Sequence, residues 1–149
     1  MKSLFEASTV VEIKQRLSAL RPESERVWGK MNPAQALAHC SVVMDVAIGN
    51  TVLRWALIGR IFGPFAKGIF SNDKPLQRSL PTDKSFVVAD QRDFAKEREK
   101  LTGLIDQFAA GGAQGCTKHP HPFFGKMTPA EWAVGMYKHL DHHLQQFGA

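Results

Sequence analysis

The sequence predicts an all-α fold, a four-helix bundle with a further helix inside one long connection. Three observations carry that prediction. Apolar residues recur at helical spacing in four separate stretches, while alternating strand patterns are scarce. Two of those stretches open on nearly the same capping sequence. Nearly forty residues, among them Pro64, Pro75 and Pro81, part the second stretch from the third. A crossover of that length lets two consecutive helices run parallel.

The first helix reads from about Thr9 to Leu20, with Val10, Ile13, Leu17 and Leu20 on one face, and Pro22 follows its end. The second opens on Asn32 as N-cap, Pro33 at the first helical position and Gln35 as capping-box partner. It stops at Gly49-Asn50. Its residues are apolar nearly all round, leaving Ser41 and Asp45 as a polar strip, so burial on most sides is expected. A helix over Val52–Phe70 is expected to ride within the crossover. The third bundle helix covers about Asp90 to Ala110, with Phe94, Leu101, Leu104, Ile105 and Phe108 as its apolar stripe and Gly111-Gly112 as its stop. The last runs from Pro129 to about Phe147. Its entry, Gly125-Lys126-Met127-Thr128-Pro129-Ala130-Glu131, repeats Gly29-Lys30-Met31-Asn32-Pro33-Ala34-Gln35. The similarity ends with the cap, which marks one capping solution used twice and not a repeat unit.

With 149 residues, the chain fits one domain spanning 1–149. Its start has no apolar run followed by a small-residue cleavage site, and it carries only Cys40 and Cys116. A reducing, cytoplasmic setting is therefore the expectation. The 51–70 segment is interrupted by Arg54, Arg60 and Lys67 and broken at Gly63-Pro64, so no membrane span is expected. Net charge is +5, but no basic stripe is interleaved with aromatics, and nucleic acid is not an expected partner. The apolar face of 52–70, with Trp55, Ile58, Phe62 and Phe65, is broad enough to suggest a homodimer.

The sharpest chemistry lies in the last helix. His139 and His143 are four apart, one turn above each other. Stepping about 100° per residue, they share a stripe with Trp132, Met136 and Phe147, which is the core-facing stripe. His142 points roughly 100° away from it, and Asp141 lies opposite. Inward imidazoles must satisfy their ring nitrogens, and each unpaired group costs roughly 1–3 kcal/mol. A shared metal ion satisfies one nitrogen of each ring; a hydrogen-bonded histidine pair is the alternative. His39 adds a third inward imidazole, on a flank with Ala36, Val43 and Val46. At a rise of about 1.5 Å per residue it lies roughly 10 Å from the start of its helix. The midpoint of His139 and His143 lies roughly 9 Å from the end of theirs. Antiparallel, flush helices therefore bring His39, His139 and His143 into one layer.

Met31-Asn32-Pro33-Ala34-Gln35-Ala36-Leu37-Ala38-His39-Cys40, together with His139-Leu140-Asp141-His142-His143-Leu144-Gln145-Gln146-Phe147-Gly148, resembles the DinB-like superfamily. Within it the chain is similar to an uncharacterised branch marked by His121-Pro122-Phe123-Phe124-Gly125, then Glu131-Trp132, then the histidine-rich end. The resemblance spans the chain from Phe5 onward. It implies a bundle whose second and third helices are parallel, and a divalent metal held by His39, His139 and His143. It also implies metal-dependent transferase or isomerase chemistry with a low-molecular-weight thiol, so an S-transferase acting on small electrophiles is the functional expectation.

Three neutral imidazoles leave a divalent ion's charge uncompensated, and such a site acidifies whatever fills its open positions. The nitrogen set suits Zn or Ni, admits Fe or Cu, and disfavours Mg and Ca. Tyr137, Asp141, Ser41, Asp45 and His121 are candidates for acid, base or supporting roles. The loop His119-Pro120-His121-Pro122 reads as rigid and extended, its histidines structural. Cys116 with His119 and His121 lacks a fourth partner for a second metal, and Cys40 reads as a small core residue. The reading from another class is a non-catalytic bundle that binds a ligand or partner protein without metal.

Overall fold

The computed structural model describes residues 1–53, 57–72, 74–78 and 84–149, with backbone alone at 57, 58, 60, 62, 64, 65 and 84. Its helices are α1 (Ala7–Ala19), α2 (Pro33–Ile48), α3 (Leu57–Ser71), α4 (Phe94–Gly115) and α5 (Pro129–Gln146), with a 3-10 turn at Lys84–Phe86. Among the described residues there is no strand, only an isolated bridge between His121 and Gly125. The fold is all-α, as expected.

The two capping sequences do the same work in three dimensions. Asn32 Oδ1 accepts from the Gln35 N–H at 2.9 Å, and Gln35 Oε1 accepts from the Asn32 N–H at 3.0 Å. Thr128 and Glu131 make the matching pair of bonds at the start of α5. Each box satisfies two amide donors that a helix start leaves without partners, typically about 1 kcal/mol for the cap. Gly49 ends α2 at φ +91, a left-handed conformation in which a side chain would be strained.

Several boundaries differ from the sequence expectation. α4 starts at Phe94 and not at Asp90, because Asp93 is the N-cap and accepts from the Lys96 N–H at 3.0 Å. The stop at Gly111-Gly112 is a kink: Gly112 sits at φ +52, ψ −147, and helical turns resume to Gly115. In the crossover, Val52 and Leu53 are not helical and α3 begins at Leu57. Trp55, Ile58, Phe62 and Phe65, the face that suggested a dimer, have side chains outside the described residues.

The core forms where the apolar stripes meet. Ile13 and Leu17 from α1, Leu37 and Met44 from α2, Leu101 and Ile105 from α4, and Trp132, Met136 and Leu140 from α5 are all buried. Burying a side chain of this kind contributes about 1.5–3 kcal/mol. α2 and α4 make the most extensive helix pair. Ser41, read from the sequence as part of a polar strip, is fully buried: its hydroxyl donates to the Leu37 carbonyl one turn back, so the helix itself satisfies it. α3 docks through small residues, some its own and one on α5. A Cβ on Gly63 would lie 2.0 Å from the Phe123 carbonyl oxygen, and one on Gly135 would strike the Phe70 ring. No helix among the described residues is long and apolar enough to cross a membrane.

Candidate metal centre

α2 and α5 present their histidines to each other. His39, His139 and His143 each offer a ring nitrogen, and these atoms lie within 4.8 Å of one another. The three ring centroids are 4.7–4.9 Å apart. His39 is buried at 4% exposure, while His139 and His143 keep part of their surface open. The layer is thus largely enclosed, and the surface it keeps belongs to His139 and His143 on α5. Among the described residues this is the one cluster of three or more histidine, cysteine or acidic side chains able to hold an ion.

On His39 and His143 the nitrogen facing away from the layer is occupied. His39 Nδ1 lies 2.7 Å from the Phe86 carbonyl oxygen. A carbonyl only accepts, so Nδ1 carries the hydrogen and Nε2 presents its lone pair to the layer. His39 Nε2 and His139 Nε2 are 2.9 Å apart, a contact closed by a proton on His139. His143 Nδ1 lies 2.9 Å from Gln146 Oε1. Such outward partners orient a ligating histidine and select its tautomer. The donor set, two lone pairs converging beside a third imidazole, fits a divalent ion of the Zn or Ni kind.

Electrostatics favour the neutral rings that metal binding requires. Burial pushes His143 down to about 3, with the nearby His39 adding to the shift and the Gln146 bond opposing it. Burial also holds His139 well below the ordinary histidine value, reinforced by His143 and His39. His39 is lowered by burial, partly offset by its bond to Phe86. Protons therefore compete weakly with a cation at neutral pH.

The other candidates stand elsewhere. The His142 ring packs on Trp28 at 5.4 Å and hydrogen-bonds the Leu76 main chain, so it faces out of the layer as expected. Asp141 pairs with Arg16 at 2.7 Å, Asp45 with Lys100 at 3.3 Å, and Tyr137 lies beside Lys2. His119 is exposed. His121 is buried, and its Nδ1 accepts the N–H groups of Phe123 at 3.0 Å and Phe124 at 3.2 Å. Its ring sits among Phe70, Phe86, Phe124 and Trp132, which makes it the cap of its own loop. Cys40 and Cys116 are both free and buried, and burial raises both thiols, Cys116 to about 11. Neither is a ready nucleophile.

Sequence reasoning missed Gln146 and the Phe86 carbonyl. Gln146 follows His143 by three residues, the spacing of neighbours on a helix face, and that signal was readable. No sequence signal marks a backbone carbonyl from the crossover.

A helical bundle with three inward histidines from two facing helices defines the class. The family model described as "Protein of unknown function (DUF1569)" matches residues 5–149, and the chain belongs to that family. Comparison with curated proteins gives no match, and comparison with solved structures gives none either.

Proposed function

We propose that this chain is a metal-dependent enzyme of the DinB-like kind, transferring a low-molecular-weight thiol onto a small electrophile. The observation that carries the reading is the convergence of His39, His139 and His143 from α2 and α5. A divalent ion held there supplies an uncompensated positive charge that acidifies a thiol or water at its open positions. The chain's own residues keep the three rings neutral, hold two of them from behind, and bury the α2 side of the layer.

Two contacts support the DinB-like topology. Gln35, at the start of α2, donates to the Asp90 carbonyl just before α4, and Asp45, near the end of α2, pairs with Lys100 inside α4. Sequence order rises together on both sides, as it does for parallel helices. Two free, buried cysteines fit a reducing compartment.

The second reading, a non-catalytic binding bundle, has its own support: Asp141, Asp45 and Ser41 are all engaged away from the layer. Elemental analysis of untagged protein separates the two. About one Zn or Ni per chain, with thiol-dependent consumption of an electrophile, supports the enzyme. Full-length folded protein that neither retains nor takes up metal sinks it. In stripped protein, Zn or Ni should raise the melting temperature, because the site is assembled only in the folded bundle. His39→Ala, His139→Ala and His143→Ala should each abolish most of that rise, while His142→Ala should keep it.

A further inference from the structure

A neutral imidazole offers a metal one lone pair, and whatever holds its other nitrogen decides which one. On His143 that partner is Gln146, a side chain exposed by only 2%. Both ends of its amide are engaged. Nε2 donates to the Trp28 carbonyl at 2.8 Å, and Oε1 lies 2.9 Å from His143 Nδ1. Only the amide nitrogen can serve a carbonyl, so the amide oxygen must face the imidazole and Nδ1 must carry the hydrogen. A flipped amide would set oxygen against oxygen at Trp28 and lose that bond.

The main chain holds the amide in this orientation. The Val27 N–H donates to the Gln146 carbonyl at 2.8 Å. Gly29, at φ +80, passes so close that a Cβ there would lie 2.4 Å from Gln146 Nε2. The segment before α2 is thus fastened to both the backbone and the side chain of Gln146. Side chains in that segment cannot supply the same constraint, because it is the Trp28 carbonyl that takes the amide hydrogen.

We propose that Gln146 is a positioning residue: its amide holds His143 in the Nδ1–H tautomer and aims Nε2 into the layer shared with His39 and His139. The proposal rests on the metal-centre reading above. The competing explanation is a tether that merely fastens residues 27–29 to α5. Glutamate separates the two, since as a carboxylate it accepts from His143 Nδ1 but has no hydrogen to donate to the Trp28 carbonyl. Leucine does neither.

The experiment compares stripped wild type, Gln146→Glu and Gln146→Leu in three measurements. Long-range proton–nitrogen spectra read which nitrogen of His143 is protonated, chelator competition reads zinc affinity, and urea unfolding reads stability. Wild type and Gln146→Glu should show His143 protonated on Nδ1. Gln146→Leu should show mixed tautomers and about 10–100-fold weaker zinc binding, with Gln146→Glu recovering most of that loss. A tether predicts instead that Glu is as damaging as Leu, and that result overturns the proposal. So does a Leu variant that keeps both the tautomer and the affinity. Wild type that binds no zinc refutes the metal-centre reading; the spectra then still judge Gln146, and an Nε2-protonated His143 in wild type overturns its role.

Discussion

Acidification should weaken this protein from about pH 6.5 downward, and His143 sets the scale of the effect. In the folded chain its ring titrates near 3, because burial and the neighbouring His39 oppose its charge; in the unfolded chain it returns to the ordinary 6.5. Above pH 6.5 both states are neutral, and the ring adds no pH dependence. Between 6.5 and 3 the unfolded chain binds a proton that the folded one does not, so stability is lost as pH falls. Below about 3 both states are protonated and the loss is complete. One pKa unit is on the order of 1 kcal/mol, which gives on the order of 1 kcal/mol at pH 5.5 and on the order of 3 kcal/mol at pH 4.5 for this ring alone. His139 and His39 are shifted in the same direction and steepen the fall. Against a total of about 5–15 kcal/mol for a domain, that is a large share. Urea unfolding of stripped protein, followed by circular dichroism at pH 7.5, 6.5, 5.5 and 4.5, measures it. His143→Leu removes one ring from the linkage and should flatten the slope by on the order of 1 kcal/mol per pH unit between 5.5 and 4.5. Superimposable slopes for wild type and His143→Leu would refute the buried-neutral account of the layer.

Two further outcomes follow from packing. Gly63→Ala should destabilise the fold by about 1–3 kcal/mol, because its Cβ meets the Phe123 backbone at 2.0 Å, which no rotamer change relieves. Gly103→Ala, in the exposed middle of α4 with nothing within 4 Å, should instead stabilise by up to about 1 kcal/mol; thermal melts that rank the pair the other way contradict the α3 docking. His121→Ala should lower stability by about 2–4 kcal/mol, since it strips two part-buried amides of their acceptor and opens a gap among aromatic rings. The zinc-induced rise in melting temperature should nevertheless survive in that variant, and its loss would place His121 in the metal site.

Much of the helical frame was legible because its determinants are local. Asn32-Pro33 and Thr128-Pro129 announce helix starts through side chains that cap their own backbone, and Gly49 announces an end through a conformation other residues resist. Of the apolar stripe predicted for α4, Leu101, Leu104, Ile105 and Phe108 are buried, while Phe94 at the helix start is only partly so. The errors also have local causes. Asp90 and Asp93 are both plausible caps in sequence, and only the Lys96 amide bond selects Asp93. Ser41 looked like surface because a hydroxyl is polar, yet a bond to the Leu37 carbonyl lets a helix bury it on any face.

The centre was legible in part for a different reason. Helical geometry fixes the direction and height of His39, His139 and His143 once two helices face each other, so a wheel and a rise per residue locate them. Their orientation about χ2 is another matter, because it depends on groups from distant chain segments. His39 takes its tautomer from the carbonyl of Phe86, 47 residues away in the crossover. The Phe86 ring in turn lies 6.0 Å from the His121 ring, in the loop that α3 clasps through Gly59 and Gly63. The crossover and the His121–Gly125 loop thus reach the layer without contributing a ligand. Damage at that loop should therefore reach His39 through Phe86, changing how firmly Nε2 is aimed before it changes which residues surround the layer. That ordering distinguishes a loop that supports the centre from one that forms it.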